Sequence, residues 1–372
     1  MKILVTGGPV HAYLDDVKII TNKFRGGRMA EIADMLQKAG LDVTYLTAKG
    51  MNEPKNCRIM YHLGYEDYRK LVVEMAPALD GMLLGAAVVN LIPKNPWKGK
   101  FPSHQYMEGD TIPIYFQIAP RVINMVKEKN PKIHLFGFKL LSGVQHSELV
   151  SAAWDVAIGS KADAVFANDA TNLDQKFAVT KEYSVIPMDT KEMVDFIQAA
   201  MADEYYKTVS VTPTFNINKH IEKARKLIGE YQNKFIPPKI MPLHYTFGTV
   251  AVRIPESPGS FVTTSRGKNE LEDFTFVAGV NMETRTVYAG PKKATLNAPL
   301  LSRIFHANND VSAIVHYHWE VAPDDLDISP EMNLPILPYA LPGTVRDCNR
   351  QVKDIGSDFR IDHHGVYKLL RE

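Results

Sequence analysis

The stretch from Lys2 to Lys49, KILVTGGPVHAYLDDVKIITNKFRGGRMAEIADMLQKAGLDVTYLTAK, constrains the fold more than any other part of the chain. Ile3, Leu4 and Val5 form a short apolar run, as expected of a strand buried on both faces. Thr6, Gly7, Gly8 and Pro9 interrupt it, and glycine there lets the backbone turn sharply and come close to a ligand. Apolar residues then recur at helical spacing, at Met29, Ile32, Ala33, Leu36 and Ala39, until Gly40 ends the helix. Leu41, Val43, Tyr45 and Leu46 open a second strand. Such a β–loop–α–β unit cradles phosphate at its loop and helix N-terminus. The glycines alone specify little, because the G-x-G-x-x-G pattern is incomplete. The loop says more: it carries Asp15, Asp16, Lys18, Asn22, Lys23, Arg25 and a second pair, Gly26-Gly27, where a plain dinucleotide-binding turn is short.

The pattern of strand and helix continues. Tyr65 to Met75 reads as a helix ended by Pro77. Gly81 to Val89 reads as one buried strand whose small residues, Ala86 and Ala87, fall towards its end, where open α/β sheets bind ligands. It runs into Asn90, then Lys94, Lys98, Lys100 and Ser103. Ala119-Pro120-Arg121 leads into a helix ending near Lys129, and His134 to Lys139, containing Phe138, is the next strand. Glu148 to Ala157 is helical, and Lys161 to Asp169 is a strand ending in Ala167-Asn168-Asp169, with Phe177 eight residues further on. Val185 to Pro187 and a helix from Lys191 to Met201 close the first domain. The alternation predicts an α/β, doubly wound, mainly parallel Rossmann-like sheet.

These ordered segments resemble the phosphopantothenoylcysteine synthetase (phosphopantothenate–cysteine ligase) family over residues 1–205. That family opens with GGT and D-x-V-R-x-I-x-N-x-S-S-G-x-M-G, continues with A-A-V-x-D and a K-I-x-S segment, and then carries V-G-F and K-x-x-D-x-[IV]-[VC]-A-N-D with a Phe beyond. Here the counterparts are GGP, DDVKIITN with GGRM, AAVVN, KFPS, FGFK and KADAVFAND. The resemblance implies that Gly7, Gly8, Gly26, Gly27, Phe138, Asn168 and Phe177 bind a nucleotide, CTP or ATP with magnesium. It implies that Asn22, Ala86, Ala87, Asn90 and Lys100 meet the substrate, with Asn22 and Lys161 catalytic. Three departures stand out: Asn90 replaces an Asp, Lys161 stands two residues before Asp163 where the family has three, and the acidic residue after the V-G-F segment is missing. The family's Ala-Ala-Val strand reaches the partner's site, so a homodimer or higher homo-oligomer is implied.

From about residue 206 the character changes. Val209 to Asn218 is rich in Thr, Pro and Asn, and His220 to Phe235 reads as an amphipathic helix with Ile221, Ala224, Leu227, Ile228 and Tyr231 on one face. Strands follow at Gly248 to Ile254, Phe261 to Thr264, Phe274 to Val280 and Thr286 to Tyr288, then a helix from Ala298 to Ala307 and a strand from Val311. That last strand enters His316-Tyr317-His318, and Asp362-His363-His364-Gly365 stands near the chain end. Two histidines one residue apart on a strand face the same side, and a third completes a three-nitrogen metal set.

Residues 206–372 resemble the class II aldolase/adducin family, an α/β domain with a largely antiparallel sheet, through GTVAVR, TTSRG, KKATLNAPLL, AIVHYH and HHG. The resemblance carries metal-ligand roles to His316, His318 and His364, with zinc as the metal. It sets the family's catalytic Glu at Asn297 and a nearby His at Leu301, and puts Thr249 and Ala251 where its phosphate-binding Asn and Ser stand. Asn cannot serve as a general base.

The leading expectation is a nucleotide-dependent ligase that joins phosphopantothenate to cysteine in coenzyme A biosynthesis. The competing ones are a zinc-dependent aldolase-like lyase or dehydratase with a degenerate first domain, and a non-catalytic assembly protein. A formal charge of +1 gives no footprint for nucleic acid or an acidic membrane surface. Cys57 and Cys348 match no zinc or redox motif, and no signal-peptide pattern or bilayer-length apolar run is present, so a cytoplasmic protein is expected.

Overall fold

The computed structural model describes residues 1–181, 185–202, 206–235, 248–266, 268, 270–318, 331, 333–337, 355–362 and 364–371. Met1–Lys181 with Pro187–Met201 form one compact unit, and the described residues from Ala202 onward form the body of a second. The domain boundary expected near residue 205 lies outside the described residues, as does His363.

The first unit is one eight-stranded sheet. Its strands are β1 (Lys2–Thr6), β2 (Asp42–Ala48), β3 (Arg58–His62), β4 (Gly81–Leu84), β5 (His134–Leu141), β6 (Ala164–Asp169), β7 (Asn172–Thr180) and β8 (Val185–Met188). They are ordered β8-β7-β6-β5-β4-β1-β2-β3. From β3 to β6 all neighbours are parallel, and β7 returns antiparallel to β6. This is the doubly wound order, and the winding reverses between β1 and β4, the position where such sheets open a ligand crevice. The helices are α1 (Gly27–Lys38), α2 (Tyr65–Met75), α3 (Val122–Lys129), α4 (His146–Ser160) and α5 (Thr190–Ala202). Along α1 the buried residues Met29, Ile32, Ala33 and Leu36 follow the helical period. Burying each large apolar side chain of that face is worth about 1.5–3 kcal/mol.

Two expected strands are shorter in the structure. The strand expected over Gly81 to Val89 stops at Leu84; Gly85 then passes so close to Met29 that a Cβ there would lie 2.4 Å from Sδ, and the chain re-pairs only at Ala87–Val88, parallel to Pro9–Val10. Lys161 begins no strand. It is the left-handed C-cap of α4 (φ 57°), where its N–H and that of Ala162 bond to the carbonyls of Ile158 and Ala157, and β6 starts at Ala164. The long first loop also contains a small antiparallel pair, Ala12–Tyr13 with Ile19–Ile20.

The second unit holds a nine-stranded sheet of β9 (Lys207–Ser210), β10 (Thr249–Arg253), β11 (Phe261–Thr264), β12 (Phe274–Asn281), β13 (Thr286–Ala289), β14 (Val311–Tyr317), β15 (Ile336–Leu337), β16 (Phe359–Ile361) and β17 (Gly365–Arg371). The order is β9-β13-β12-β11-β10-β14-β17-β16-β15. It is antiparallel throughout its centre and parallel only in the edge pairs β9/β13 and β15/β16. Helix α6 (Asn218–Glu230) covers one face through Ala224, Leu227 and Ile228, against Val250, Val252 and Val315. Helix α7 (Ala298–Ala307) covers the other through Leu301, Ile304 and Phe305, against Ala251, Phe261 and Ile314. The helix expected to reach Phe235 ends at Glu230 and continues as a 3₁₀ turn, Gln232–Lys234. Strand β9, at the sheet edge, overlaps the start of the Thr/Pro/Asn-rich stretch. No helix among the described residues is long and apolar enough to cross a membrane.

Candidate active site and candidate metal centre

At the reversal point the loops after β1 and β4 are tied together. Gly8 (φ +74°) accepts a hydrogen bond from the Ala87 N–H at 2.9 Å, and the Val89 N–H donates to Val10 O at 3.0 Å. The Asn22 side-chain amide reaches across and donates to Ala87 O at 3.0 Å. The two glycine pairs pack on their surroundings: a Cβ on Gly26 (φ +83°) would lie 2.5 Å from Gly8 N, and one on Gly7 would lie 2.0 Å from the Tyr45 hydroxyl. Gly27 opens α1, which has no side-chain cap. A helix start leaves N–H groups needing partners, the arrangement by which helix ends hold anions. The structure therefore brings together Gly7, Gly8, Asn22, Gly26, Gly27 and Ala87.

Beside them lies a cavity of about 250 Å³, lined by Ala86 and Asn90 after β4, Phe138 on β5, Tyr68 on α2 and Arg121 before α3, with apolar residues completing the wall. Burial pushes the Tyr68 phenol up to about 12, and its hydroxyl lies 3.2 Å from Thr6 Oγ1, which also accepts from the Ala86 N–H. Lys100 is exposed in a pinned loop: Asp15 accepts from the Phe101 N–H and Asp16 from the Gly99 N–H, each at 2.9 Å. Burial would raise the Asp15 carboxyl, but bonds from the Phe101, Lys18 and Val17 N–H groups and from Lys18 Nζ outweigh it and hold the group well below the usual carboxylate range.

Asn168 and Phe177 sit further along the sheet. The Asn168 amide donates to Gln175 O within the β6–β7 connection, and Phe177 meets the His146 ring at 4.5 Å. Lys161 is not brought to this cluster. It precedes β6, whose six residues carry the chain about 20 Å to Asn168 at the opposite edge of the sheet. Arg121, Tyr68 and Asp15 are the contributors that sequence reasoning did not assign to the site. A single cation directly before a helix is the one available signal for Arg121.

In the second unit, His316, His318 and His364 offer ligand nitrogens that all lie within 4.8 Å of one another. His316 and His318 come from one edge of β14 and its continuation, and His364 from the turn before β17. The His316 Nδ1–H donates to Val366 O at 2.9 Å, which leaves Nε2 as the lone-pair nitrogen, buried and without a hydrogen-bond partner. Burial, then the neighbouring His318, holds His316 well below its ordinary value; burial, then His318 and His316, does the same for His364. Both rings are neutral near pH 7, as metal ligands must be. Tyr367 stacks on His316 at 4.2 Å, and Phe359 stacks on Tyr367. Thr249 is paired with His316 across the strands, its hydroxyl lies 3.2 Å from that of Thr295, and Asn297 stands just before α7 with no carboxylate in its place. Leu301 is buried in α7 and Ala251 in β10.

A doubly wound, mainly parallel sheet with glycine turns and a cavity beside its reversal point defines a protein of the doubly wound α/β class. The model of the DNA/pantothenate metabolism flavoprotein C-terminal domain family matches residues 1–209, more than half of the chain. The chain belongs to that family. Among curated proteins it is similar to the Coenzyme A biosynthesis bifunctional protein CoaBC of Thermococcus kodakarensis, with 28% identity over 172 residues, 45% of this chain and 41% of that protein. The chain thus spans about two fifths of that relative's length. Among solved structures it is similar to the DNA/pantothenate metabolism flavoprotein from Streptococcus pneumoniae, at 27% identity and a TM-score of 0.48 over 54% of this chain and 98% of that one. An L-fuculose 1-phosphate aldolase aligns at 14% identity and a TM-score of 0.30 over 43% of this chain and 77% of that one, a likeness that carries no argument.

Proposed function

We propose that the first unit is a nucleotide-dependent ligase of coenzyme A biosynthesis that joins phosphopantothenate to cysteine. The observation that carries this reading is the family membership of residues 1–209 together with the convergence of Asn22, the two glycine pairs and Ala87 at the sheet's reversal point. In this reading the substrate carboxylate attacks the nucleotide α-phosphate and pyrophosphate leaves. The cysteine amine then attacks the acyl-nucleotidylate and releases the nucleoside monophosphate. Charge developing on the phosphates is met by backbone N–H groups at Gly8, Gly26 and the start of α1, and by magnesium entering with CTP or ATP. Phe138, Asn168 and Phe177 hold the base and ribose, Asn22 holds the acyl intermediate, and Ala86, Ala87, Asn90 and Lys100 border the substrate. Lys161, at the opposite edge of the sheet, has no part in this arrangement within one subunit.

A homodimer is part of the reading. Leu91–Pro93 pairs with Phe116–Ile118, and this ribbon exposes Leu91, Tyr115, Phe116 and Ile118, apolar surface of the kind that protein partners cover. A cytoplasmic location suits such an enzyme. The test is thermal unfolding with CTP, ATP or GTP plus magnesium. Nucleotide at a hundred times its dissociation constant stabilises the bound state by about 2.7 kcal/mol and raises the midpoint. No shift at millimolar concentration with any of the three contradicts the nucleotide site.

A second reading belongs to the second unit, and the three convergent imidazoles favour it. His316, His318 and His364 would hold zinc, since nitrogen ligands suit it better than magnesium or calcium, and bound zinc would supply Lewis-acid polarisation of a carbonyl. Asn297 supplies no base for proton abstraction, so the expected outcome is zinc without aldol cleavage. Elemental analysis of untagged protein is expected to find close to one equivalent after zinc is supplied, with no cleavage of phosphorylated ketoses. Metal far below one equivalent contradicts the centre, and cleavage lost in His316→Ala contradicts the silence of the domain.

A further inference from the structure

The cavity beside the reversal point has an uneven lining. Its body is apolar, with Val88, Val122, Ile123 and Val156 among the walls, and it carries two rings, Phe138 and Tyr68. Among the described residues no carboxylate lines it, and the only full charge on its wall is Arg121. The Arg121 side chain is exposed and makes no hydrogen bond or ion pair among the described residues. Its backbone, by contrast, is fixed. The Tyr65 hydroxyl donates to Pro120 O at 2.6 Å, the Ala119 N–H donates to Asn90 O at 3.0 Å, and the Asn124 N–H donates to Arg121 O at 3.1 Å. The root of the Arg121 side chain is therefore held at the rim, and the guanidinium can turn to a ligand without breaking an existing ion pair. At about 250 Å³ the cavity is smaller than the roughly 300–1,000 Å³ of whole-ligand pockets, so it takes the flat apolar part of a ligand and leaves the charged part at the rim.

We propose that Arg121, at the rim of this cavity, adds a side-chain phosphate contact to the backbone N–H groups of the glycine turns and sets the site's preference for nucleotides over nucleosides. The proposal rests on the nucleotide reading of the first unit and adds to it a specificity-determining residue. Base and sugar pack against Phe138 and the apolar wall, and a phosphate accepts paired N–H bonds from the guanidinium, the group best shaped for two-point contact with phosphate oxygens.

Calorimetric titration of the full chain tests this, using CTP, ATP, cytidine and adenosine with magnesium, and phosphopantothenate as a second anion. In Arg121→Ala, triphosphate binding is expected to weaken roughly 10- to 100-fold, the loss of a charge-assisted pair, while nucleoside binding stays as in the wild type. Arg121→Lys should recover part of the triphosphate affinity. Unchanged thermal midpoints of both variants establish that the fold is intact. The proposal is overturned if triphosphate affinity is unaffected, if nucleoside and triphosphate affinities fall together, or if only phosphopantothenate binding falls. Wild-type protein that binds no nucleotide overturns the functional reading itself, an outcome distinct because it needs no variant.

Discussion

Asn22 is partly exposed and makes one side-chain hydrogen bond, to Ala87 O, across the point where the sheet reverses. Removing it costs about 1 kcal/mol of stability, the net worth of a neutral hydrogen bond. Its amide is nonetheless placed between the two loops that a ligand at this point would touch. Asn22→Ala is therefore expected to keep its circular dichroism spectrum and to lose only about 2–4 °C of thermal midpoint, while pyrophosphate release with phosphopantothenate and cysteine falls by about 100-fold or more. Turnover near the wild-type level would remove Asn22 from the site. At this scale the sequence is legible where residue type fixes chemistry: the three histidines converge, and Asn22 lies beside Gly8 at the reversal point. It is illegible where a residue's role depends on what faces it. The need for glycine at Gly7 and Gly26 is set by packing that the sequence does not show, since a Cβ would meet the Tyr45 hydroxyl at one and Gly8 N at the other. Asp15 reads only as one of the loop's carboxylates, and it acts as a pin for the Lys100 loop. Arg121 gains meaning only from Phe138 and Asn90, residues distant in the chain.

Among the elements, the junction of β14 and β17 decides whether a metal centre can form. Gly365 stands directly after His364, and a Cβ there would lie 2.4 Å from Tyr317 O and 3.1 Å from His316 Cε1. Backbone at that distance cannot give way without parting the strands that hold two of the three imidazoles. Gly365→Ala is expected to lower stability by about 1–3 kcal/mol, the cost of overpacking, and to reduce bound zinc well below that of the wild type. Thermal unfolding and elemental analysis check it, and a variant with unchanged midpoint and full zinc would show that the junction does not shape the site. Elements whose periodicity is local are legible, as α2 and α7 are with the ends expected from Tyr65, Met75, Ala298 and Ala307. Elements set by distant pairing are not. The short strand at Ala87–Val88 exists because Pro9–Val10 lies beside it, and Gly85 is required because Met29 packs against it.

For the molecule as a whole, alternation of strand and helix is enough to predict the doubly wound sheet, because parallel neighbours require crossovers and crossovers here are helices. The order of nine strands in the second unit is beyond such reasoning, since β9 pairs with β13 and β14 with β17 across long stretches of chain. Family membership covers the first unit, and the ligase reading is the account's central claim. Its most direct test is incubation of the purified full chain with phosphopantothenate, cysteine, magnesium and either CTP or ATP, following pyrophosphate and the condensed product together. The account predicts equal amounts of both with at least one nucleotide, and neither when phosphopantothenate is omitted. No condensed product with either nucleotide, from protein whose thermal unfolding shows it to be folded, would contradict it.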